Sequence, residues 1–376
     1  MKKQKVLLAM SGGVDSSVAA LLLKKQGYEV IGAFMKNWSD TKDPLTGRCA
    51  WRTEKRMAGK ISLQLNIPLL TLDFEKQYRK EVIEKMFEKY KRGITPNPDI
   101  DCNQKIKFPL LLKEAKKRKI SLIATGHYAR VKKNKKGIYE LLRAKDETKD
   151  QSYFLYKIKQ NELSSCLFPI GNYSKKEIRE IAQKNKFPNY DKKGTVGICF
   201  VGKINLKKFL QKKIKQKKGK ILDPEGNLIG EHDGIYYYTI GQRLGPRYGF
   251  DIKKENKNKK PNEKFERWYV AEKNAKKNII IAAPREHPLN FRKEIIIKDL
   301  YLISEKKEAF KNKKVRVFSR IRHVGELLSS TLSYNKKFKQ FRVVLKKAIT
   351  GISEGQAIVL YSGKRVLGGG EIRFGL

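Results

Sequence analysis

The residues with the clearest chemical meaning follow the first apolar run of the chain. Val6–Met10 has the length and composition of a buried strand, and Ser11–Ser17 follows it as a Gly-rich turn leading into a helical pattern. Two adjacent glycines let backbone N–H groups close on an anion, and the N-terminus of the new helix adds positive charge. The segment lacks the Gly-Lys-Ser/Thr of loops that grip β- and γ-phosphates. It therefore predicts a different phosphate loop, with its serine hydroxyls as donors and Asp15 as a candidate metal ligand.

A second candidate centre surrounds Cys102. Two prolines in the preceding loop, Thr95–Asp99, favour extended backbone, so helix is predicted to begin only after Cys102, near Gln104–Lys107. Beside a helix N-terminus and two lysines, the Cys102 thiol is expected to have a lowered pKa and to react as a thiolate. Asp99 is a candidate proton donor or acceptor. A buried structural cysteine is the alternative.

Cys199 is the second cysteine in a constrained segment. It lies in a short apolar stretch between glycines, Gly194–Gly202, where backbone or ligand can approach closely. On local sequence alone, an inert core cysteine is an equal alternative. Two distant cysteines in such loops could meet to exchange sulfur or to form a transient disulfide. Cys49 and Cys166 have weaker contexts and are interpreted as structural.

Several polar residues elsewhere are open to two interpretations. His127 follows a glycine at a strand end, where it could face a ligand or be an ordinary loop histidine. Lys149–Leu155 suits an RNA backbone and an unstacked base, but equally fits a helix start capped by Asp150. Arg320–His323 and Gln356 fit strand and turn positions on a solvated face.

Composition limits the class of protein. A chain of 376 residues should form two or three domains, and no apolar run is long enough to span a membrane. The formal net charge of +47 favours a polyanionic partner, although lysine enrichment is also typical of AT-rich genomes. The chain has four cysteines and no Cys-x-x-Cys motif, which argues against a zinc site built from pairs of neighbouring cysteines. So few cysteines also argue against a secreted protein held together by disulfides. With no room for a signal segment before the first strand, we expect a cytoplasmic protein without membrane contact.

The order of apolar segments predicts three domains, over residues 1–204, 205–283 and 284–376. Up to about residue 200, strand-like runs alternate with helical patterns, which predicts a doubly wound parallel α/β sheet with ligands at the strands' carboxyl ends. In the central part, Leu206–Lys218 is predicted as a basic helix, Gly219–Asn227 as a strand and turn, and Gly234–Ile240 as a strand. Lys253–Lys264 is predicted as an exposed loop. The last part shows only short strands, typical of a small β-barrel or sandwich.

Taken in order, these segments resemble the bacterial tRNA-specific 2-thiouridylases, N-type ATP pyrophosphatases that replace the 2-oxygen of the wobble uridine by sulfur. The similarity covers essentially the whole chain. It rests on Ala9–Ser16, Phe34–Trp38, Thr95–Asn103, Ala124–Tyr128, Lys149–Leu155, Gly197–Phe200, Tyr238–Arg243 and Leu367–Gly370. The resemblance implies an adenine nucleotide α-hydrolase-like fold with a pyrophosphate loop, then a small central domain and a C-terminal β-barrel that binds tRNA.

The resemblance also implies a role for each group of candidates. ATP would bind Ala9, Met10, Ser11, Gly12, Gly13, Val14, Asp15, Ser16, Met35 and Gly126. The target base would meet Asn97, Pro98 and Asp99, and tRNA would contact His127, Lys149, Asp150, Gln151, Arg322, His323 and Gln356. Cys102 would be the nucleophile and Cys199 the persulfide carrier, with Asp99 moving a proton. The chain departs from the family at His323, where tyrosine is more usual.

The implied reaction needs ATP, Mg²⁺ and persulfide sulfur. The uridine 2-oxygen would attack the α-phosphorus, and sulfur from Cys199 would replace AMP at C2, directly or as hydrosulfide, leaving a transient Cys102–Cys199 disulfide. The implied partners are tRNAs for Lys, Glu and Gln and a cysteine desulfurase or sulfur-relay protein. An amidotransferase-type synthetase or a tRNA lysidine synthetase would use the phosphate loop but not the cysteines. A non-catalytic RNA-binding protein would need neither.

Overall fold

The computed structural model describes residues 3–41, 49–192, 194, 197–202, 204–245 and 267–374. The predicted loop Lys253–Lys264 lies outside the described residues. No helix within the described ranges is long and apolar enough to cross a membrane.

The first part of the chain forms the predicted parallel sheet. The strands of this part of the chain are β1 (Lys5–Ala9), β2 (Glu29–Lys36), β3 (Leu69–Asp73), β4 (Leu122–Thr125), β5 (Ala129–Lys133), β6 (Tyr139–Arg143) and β7 (Cys166–Leu167). All of them except the hairpin β5–β6 belong to the parallel sheet. The order β3–β2–β1–β4–β7 is parallel throughout, and the chain progresses in opposite directions on the two sides of β1. Such a reversal opens a crevice at the carboxyl ends of the strands. The loop after β1 therefore lies where a ligand is expected.

Helices cover both faces of this sheet. They are α1 (Val14–Lys25), α2 (Ala50–Gln64), α3 (Glu75–Tyr78), α4 (Lys85–Lys91), α5 (Pro98–Cys102), α6 (Phe108–Lys117), α7 (Gln160–Leu163) and α8 (Lys175–Lys184). Neighbouring residues of β1 pack into different cores: Leu7 belongs to one apolar cluster, whereas Val6 and Leu8 belong to another. Both faces are thus buried, as expected for a doubly wound sheet.

The prediction that helix begins only after Cys102 is wrong. Helix α5 starts at Pro98, and Cys102 is its last residue. Proline is well suited to the first helical position, because its fixed φ fits and its missing N–H would have no intrahelical partner there. The backbone then passes through a π-helical turn, Asn103–Lys107, into α6. Cys102 therefore lies inside a continuous helical segment.

The central part is a small sheet with one short helix. Its elements are α9 (Leu206–Gln211), β8 (Gly219–Leu222), β9 (Leu228–His232), β10 (Arg243–Leu244), β11 (Trp268–Asn274) and β12 (Ile279–Pro284), in sheet order β10–β11–β12–β8–β9. The predicted strand and turn at Gly219–Asn227 is confirmed. The prediction of a long basic helix over Leu206–Lys218 is wrong, because α9 ends at Gln211. Beyond Gln211, only Ile214 supplies a buried apolar side chain, and lysines dominate the segment.

A strand was also predicted at Gly234–Ile240, and this prediction is wrong. The segment begins with Gly234 at φ 153° and continues as a 3₁₀ turn, Ile235–Tyr237. The Tyr237 hydroxyl donates to the Ile214 carbonyl at 2.6 Å, which fixes the turn against the end of the α9 region.

The C-terminal part is a closed barrel. Its elements are β13 (Phe291–Leu302), α10 (Glu308–Lys311), β14 (Val315–Arg320), β15 (Leu328–Asn335), β16 (Gln340–Thr350), β17 (Ala357–Ser362) and β18 (Arg365–Arg373). The strands follow the order β13–β16–β15–β14–β17–β18, and pairing of β13 with β18 closes the ring. Of the two predicted alternatives, barrel and sandwich, the barrel is correct. The hairpin β5–β6 from the first part of the chain attaches to β18.

Candidate active site

The phosphate loop depends on close backbone approaches that only glycine allows. Gly12 has φ 76°, and a Cβ there would lie 2.4 Å from the Glu54 carbonyl oxygen. A Cβ at Gly126, which follows β4, would lie 2.8 Å from the Ser16 backbone nitrogen. Gly13 precedes α1 in extended conformation, so the N-terminus of this helix faces the loop. The predicted loop geometry, a glycine turn at the start of a helix beside two strand ends, is present.

Two residues that the sequence did not single out hold this loop. The Asn189 side-chain amide donates to the Gly12 carbonyl and to Ser17 Oγ, at 3.0 Å in each case, and the residue is buried. Lys175 Nζ lies 2.6 Å from Asp15 Oδ1, which also accepts a hydrogen bond from the Tyr128 hydroxyl at 2.8 Å. Side chains from outside the loop therefore hold it in this conformation.

Asp15, the candidate metal ligand, is paired with a lysine in this structure. Its carboxylate is paired with Lys175, and the described residues contain no group of three or more His, Cys, Asp or Glu side chains placed to hold a metal ion. Mg²⁺ bound by a protein usually retains waters and takes one or two carboxylates together with substrate phosphates. The donor set here fits a metal that enters with a nucleotide and does not fit one that the protein holds by itself.

The two cysteines singled out from the sequence lie together. Cys102 Sγ is 3.8 Å from Cys199 Sγ, a contact between two free thiols rather than the bond of about 2.0 Å found in a disulfide. The Cys199 backbone N–H donates to Asp99 Oδ1 at 2.8 Å, and the Tyr78 hydroxyl donates to the Cys199 carbonyl. The loop with Cys199 is tight, since Phe200 has φ 65°. Residues about a hundred positions apart thus form one centre.

Lys107 and His127 complete this centre. Lys107 Nζ is 3.7 Å from Cys199 Sγ and 3.3 Å from His127 Nε2. His127 Nδ1 lies 2.8 Å from Thr125 Oγ1, and its ring stacks on Phe108 with centroids 5.8 Å apart. Burial, together with the Lys107 charge, lowers the pKa of His127 well below its usual value, so the ring is neutral. Because the ammonium can only donate, Nε2 accepts from Lys107.

The electrostatics reverse one prediction, because Cys102 is not the acidic thiol. Burial raises the pKa of Cys102 well above its usual value, and the neighbouring Cys199 adds to this increase. The pKa of Cys199 is instead lowered by the hydrogen bond from the Cys102 thiol and by the Lys107 ammonium, against the opposing effect of burial. The physical reason is that Cys102 lies at the end of α5, away from a helix N-terminus, while Lys107 faces Cys199.

Asp99 shares this environment. Burial raises the pKa of its carboxyl, although the Cys199 N–H and Lys107 act in the opposite direction. A buried carboxyl with a raised pKa next to two thiols is a candidate for holding and releasing a proton during a reaction. The arrangement suits sulfur chemistry beside a proton-transfer group.

Comparison with known proteins identifies the family. Residues 4–203, 207–284 and 292–372 match the families described as tRNA methyl transferase HUP domain, tRNA methyl transferase PRC-barrel domain and Aminomethyltransferase beta-barrel domain. A protein named tRNA-specific 2-thiouridylase MnmA from Coxiella burnetii (strain Dugway 5J108-111) is 39% identical over 373 residues, covering 99% of this chain and 98% of that protein. The chain belongs to the tRNA-specific 2-thiouridylase family.

Other similarities extend this comparison. A 2-thiouridylase of the same name from Pediococcus pentosaceus is 37% identical over 371 residues, covering 98% of this chain and 95% of that protein. A solved structure, described as a 4-thiouridine synthetase–RNA complex with bound ATP, is 18% identical with a TM-score of 0.33, covering 56% of this chain and 50% of that one. The resemblance drawn from the ordered motifs is confirmed by the 2-thiouridylase relatives.

The residues predicted to contact tRNA fall into two groups in this member of the 2-thiouridylase family. Lys149, Arg322 and His323 are exposed, and the His323 ring lies 4.5 Å from that of Phe154. His127, in contrast, is buried beside Lys107 at the cysteine pair. The exposed group can meet a polyanion directly, whereas the His127 side chain faces the protein.

Asp150 and Gln151 also face the protein. The Asp150 side chain is fully buried, and its Oδ2 lies 2.8 Å from Nη1 of Arg320 on β14 of the barrel. Gln151 Oε1 accepts the Tyr128 backbone N–H at 2.9 Å. In this conformation both side chains connect parts of the fold, so their predicted contacts with tRNA remain predictions.

Gln356 supports the loop that leads to the cysteines. Its side-chain amide donates to the carbonyls of Thr95 and Pro96, at 2.9 and 3.0 Å. Thr95 Oγ1 lies 3.1 Å from Thr239 Oγ1 of the central part. The Thr95 backbone N–H donates to the carbonyl of Glu354, in the barrel, at 3.2 Å. The segment before Asn97–Asp99 is therefore a junction at which all three parts of the chain meet.

Proposed function

We propose that this protein is an ATP-dependent tRNA-uridine 2-sulfurtransferase that converts the wobble uridine to 2-thiouridine and releases AMP and pyrophosphate. The observation that supports it most is the contact of Cys102 with Cys199 beside Asp99, in a chain of the 2-thiouridylase family. The Gly12–Gly13 loop supplies a site for the phosphates of ATP at the same sheet edge. The rival adenylating synthetases give the cysteine pair no role.

The first step activates an oxygen that cannot leave by itself. The uridine 2-oxygen attacks the α-phosphorus of ATP, the bond to the β-phosphate breaks, and pyrophosphate departs toward backbone N–H groups at the start of α1. We propose that Ala9–Ser16, Met35 and Gly126 bind the nucleotide and that Asn97–Asp99 meets the base. Asp99 takes up the proton from uridine N3 as the adenylated base forms. Mg²⁺ enters as the complex with ATP.

Sulfur then replaces the activated oxygen. The outer sulfur of a Cys199 persulfide attacks C2, the C2–O bond breaks, and AMP leaves. Cys102 Sγ next attacks Cys199 Sγ, the Cys102 thiol proton passes to uridine N3, the persulfide S–S bond breaks, and its electron pair stays with the sulfur on C2. The product is 2-thiouridine and a Cys102–Cys199 disulfide, which a thiol reductant must reopen. The Sγ–Sγ separation of 3.8 Å requires only a small approach for this bond to form.

Binding of tRNA depends on the exposed basic residues. We propose that Lys149, Arg322 and His323, which are exposed, contact tRNA directly, and the net charge of +47 favours a polyanion. We propose tRNAs for Lys, Glu and Gln as substrates, a cysteine desulfurase or sulfur-relay protein as donor, and the cytoplasm as the location. Asp150, Gln151, His127 and Gln356 complete the proposed contact set, and they require the bound conformation to expose them.

Nucleoside mass spectrometry tests this proposal. Purified protein is incubated with unmodified tRNA, ATP, Mg²⁺ and a cysteine desulfurase supplied with cysteine. We expect ATP-dependent 2-thiouridine, and its loss in Cys102→Ser and Cys199→Ser with tRNA affinity largely retained. Cys49→Ser is the matched control. Full activity in either variant would refute the cysteine roles, and AMP formation without thiolation under all conditions would favour an adenylating synthetase with another acceptor.

A further inference from the structure

Lys107 is a charged side chain in direct contact with a reacting sulfur. Its Nζ lies 3.7 Å from Cys199 Sγ, and its second side-chain partner is His127 Nε2 at 3.3 Å. Within the described part of the chain, no carboxylate forms an ion pair with this ammonium. Its nearest group able to become an anion is therefore a thiol. We propose that Lys107 is the catalytic cation that keeps Cys199 ionised to accept sulfur.

The helical geometry explains how Lys107 reaches the cysteines. Lys107 ends the π-helical turn Asn103–Lys107 that follows Cys102. In such a turn the hydrogen bonds join residues five apart, as the Phe108 N–H does with the Asn103 carbonyl. Residues five apart, such as Cys102 and Lys107, are brought to the same side of the segment. In a regular α-helix the same spacing would place them on different faces. The π-turn thus positions the ammonium at the sulfur pair.

The other groups that face Cys199 do not supply positive charge. Cys102 donates its S–H to Cys199 Sγ, and burial raises the pKa of Asp99, whose carboxyl approaches the Cys199 backbone N–H. Burial, then Cys102 and Cys199, raises the pKa of Tyr78, so its hydroxyl is neutral as it donates to the Cys199 carbonyl. His127 is neutral as well. Lys107 therefore supplies the positive charge that stabilises a Cys199 thiolate, in addition to the hydrogen bond from the Cys102 thiol.

The inference rests on the proposed function only for the source of the sulfur. A Cys199 thiolate would attack the outer sulfur of a donor persulfide, R–S–SH. The donor S–S bond would break, R–S⁻ would leave, and Cys199–S–SH would form without net oxidation. A thiol is a far weaker nucleophile than its thiolate, so a cation at this position accelerates the loading step. The high pKa of Cys102 keeps that thiol uncharged during loading.

The pH dependence of alkylation tests the proposal on the protein alone. Free enzyme with all four cysteines is treated with iodoacetamide across a pH series, and modification of Cys199 is measured by peptide mass spectrometry. In Lys107→Met we expect the midpoint for Cys199 to rise by about one pH unit, a roughly tenfold loss of thiolate at neutral pH. Lys105→Met, an exposed lysine of the same turn, is the control and should not move the midpoint.

Further variants separate charge from structure. Lys107→Arg should restore most of the wild-type midpoint, and Lys107→Gln should behave like Lys107→Met while retaining a hydrogen-bond donor. A midpoint unchanged in both neutral variants, with circular dichroism as in the wild type, would overturn the proposal. Because no ATP or tRNA is present, this result stands whether or not thiolation is observed. Failure of the proposed function and failure of this inference are thereby distinguishable.

Discussion

The phosphate loop and the cysteine pair lie in the same α/β part of the chain but are assembled differently. The loop consists of consecutive residues after β1, and the groups proposed to bind phosphate are backbone N–H groups at a helix start. The cysteine centre joins Asp99, Cys102 and Lys107 to Cys199, and its two cysteines are 97 positions apart in the sequence. A site made of consecutive backbone can be recognised in a sequence, whereas one made of distant side chains depends on the packing of the whole molecule.

The phosphate loop and the cysteine centre are also held in place by different parts of the chain. Within the described residues, the loop is held by Asn189, Lys175 and Tyr128, all from the N-terminal part of the chain. The segment leading to Cys102 is held at Thr95 by the central part and by Gln356 of the barrel. Three substitutions test this contrast between the two sites.

The first substitution removes the buried ion pair between the α/β part and the barrel. In Asp150→Ala, Arg320 would remain buried without its carboxylate, so we expect a loss of about 3–5 kcal/mol in the free energy of unfolding. Urea denaturation measures it. Glu294→Ala removes the exposed ion pair with Arg342 on the barrel and is the control, with an expected loss of less than about 1 kcal/mol. Equal losses in Asp150→Ala and Glu294→Ala would show that the stability of the protein does not depend on the ion pair between Asp150 and Arg320.

The second substitution disturbs the phosphate loop alone. In Gly12→Ala the new Cβ would meet the Glu54 carbonyl, at a φ of 76° that disfavours alanine. We expect a loss of about 1–3 kcal/mol in stability and a clear loss of ATP affinity by calorimetry, with Cys199 alkylation unchanged. Gly59→Ala, in α2 with open space around it, should instead be neutral or stabilise by about 0.5–1 kcal/mol. Altered cysteine reactivity in Gly12→Ala would contradict the independence of the two sites.

The third substitution loosens the support of the cysteine loop. Gln356→Ala removes two hydrogen bonds to the carbonyls of Thr95 and Pro96, which should cost about 1–2 kcal/mol. We expect thiolation to slow by roughly tenfold while ATP affinity is retained. Gln183→Ala, at an exposed position of α8, is the control. A parallel loss of ATP affinity would mean that Gln356 stabilises the fold generally rather than this loop.

Patterns along the chain predict most of the fold. The alternation of strand-like and helical patterns predicts the parallel sheet, and short strand-like segments between turns predict the barrel. Both predictions succeed because both patterns are set by local composition. The start of α5 was missed because two prolines fit either an extended loop or a first helical turn. The shared centre of Lys107, His127 and Cys199 was missed because no local signal joins residues 20 and 92 positions apart. Likewise, the polarity of Asp150 does not show whether its carboxylate pairs with a residue of another domain or contacts RNA.

The hairpin of β5 and β6 has a consequence for how the molecule can be divided. It leaves the parallel sheet and joins the barrel, where the Arg143 N–H donates to the Lys364 carbonyl at 2.8 Å. Without the barrel, the outer side of β6 would present unpaired N–H and C=O groups, and such free edges recruit strands from other molecules. One strand edge of the N-terminal portion is therefore covered by residues more than two hundred positions further along the chain, and we expect this portion expressed alone to aggregate more readily than the full chain.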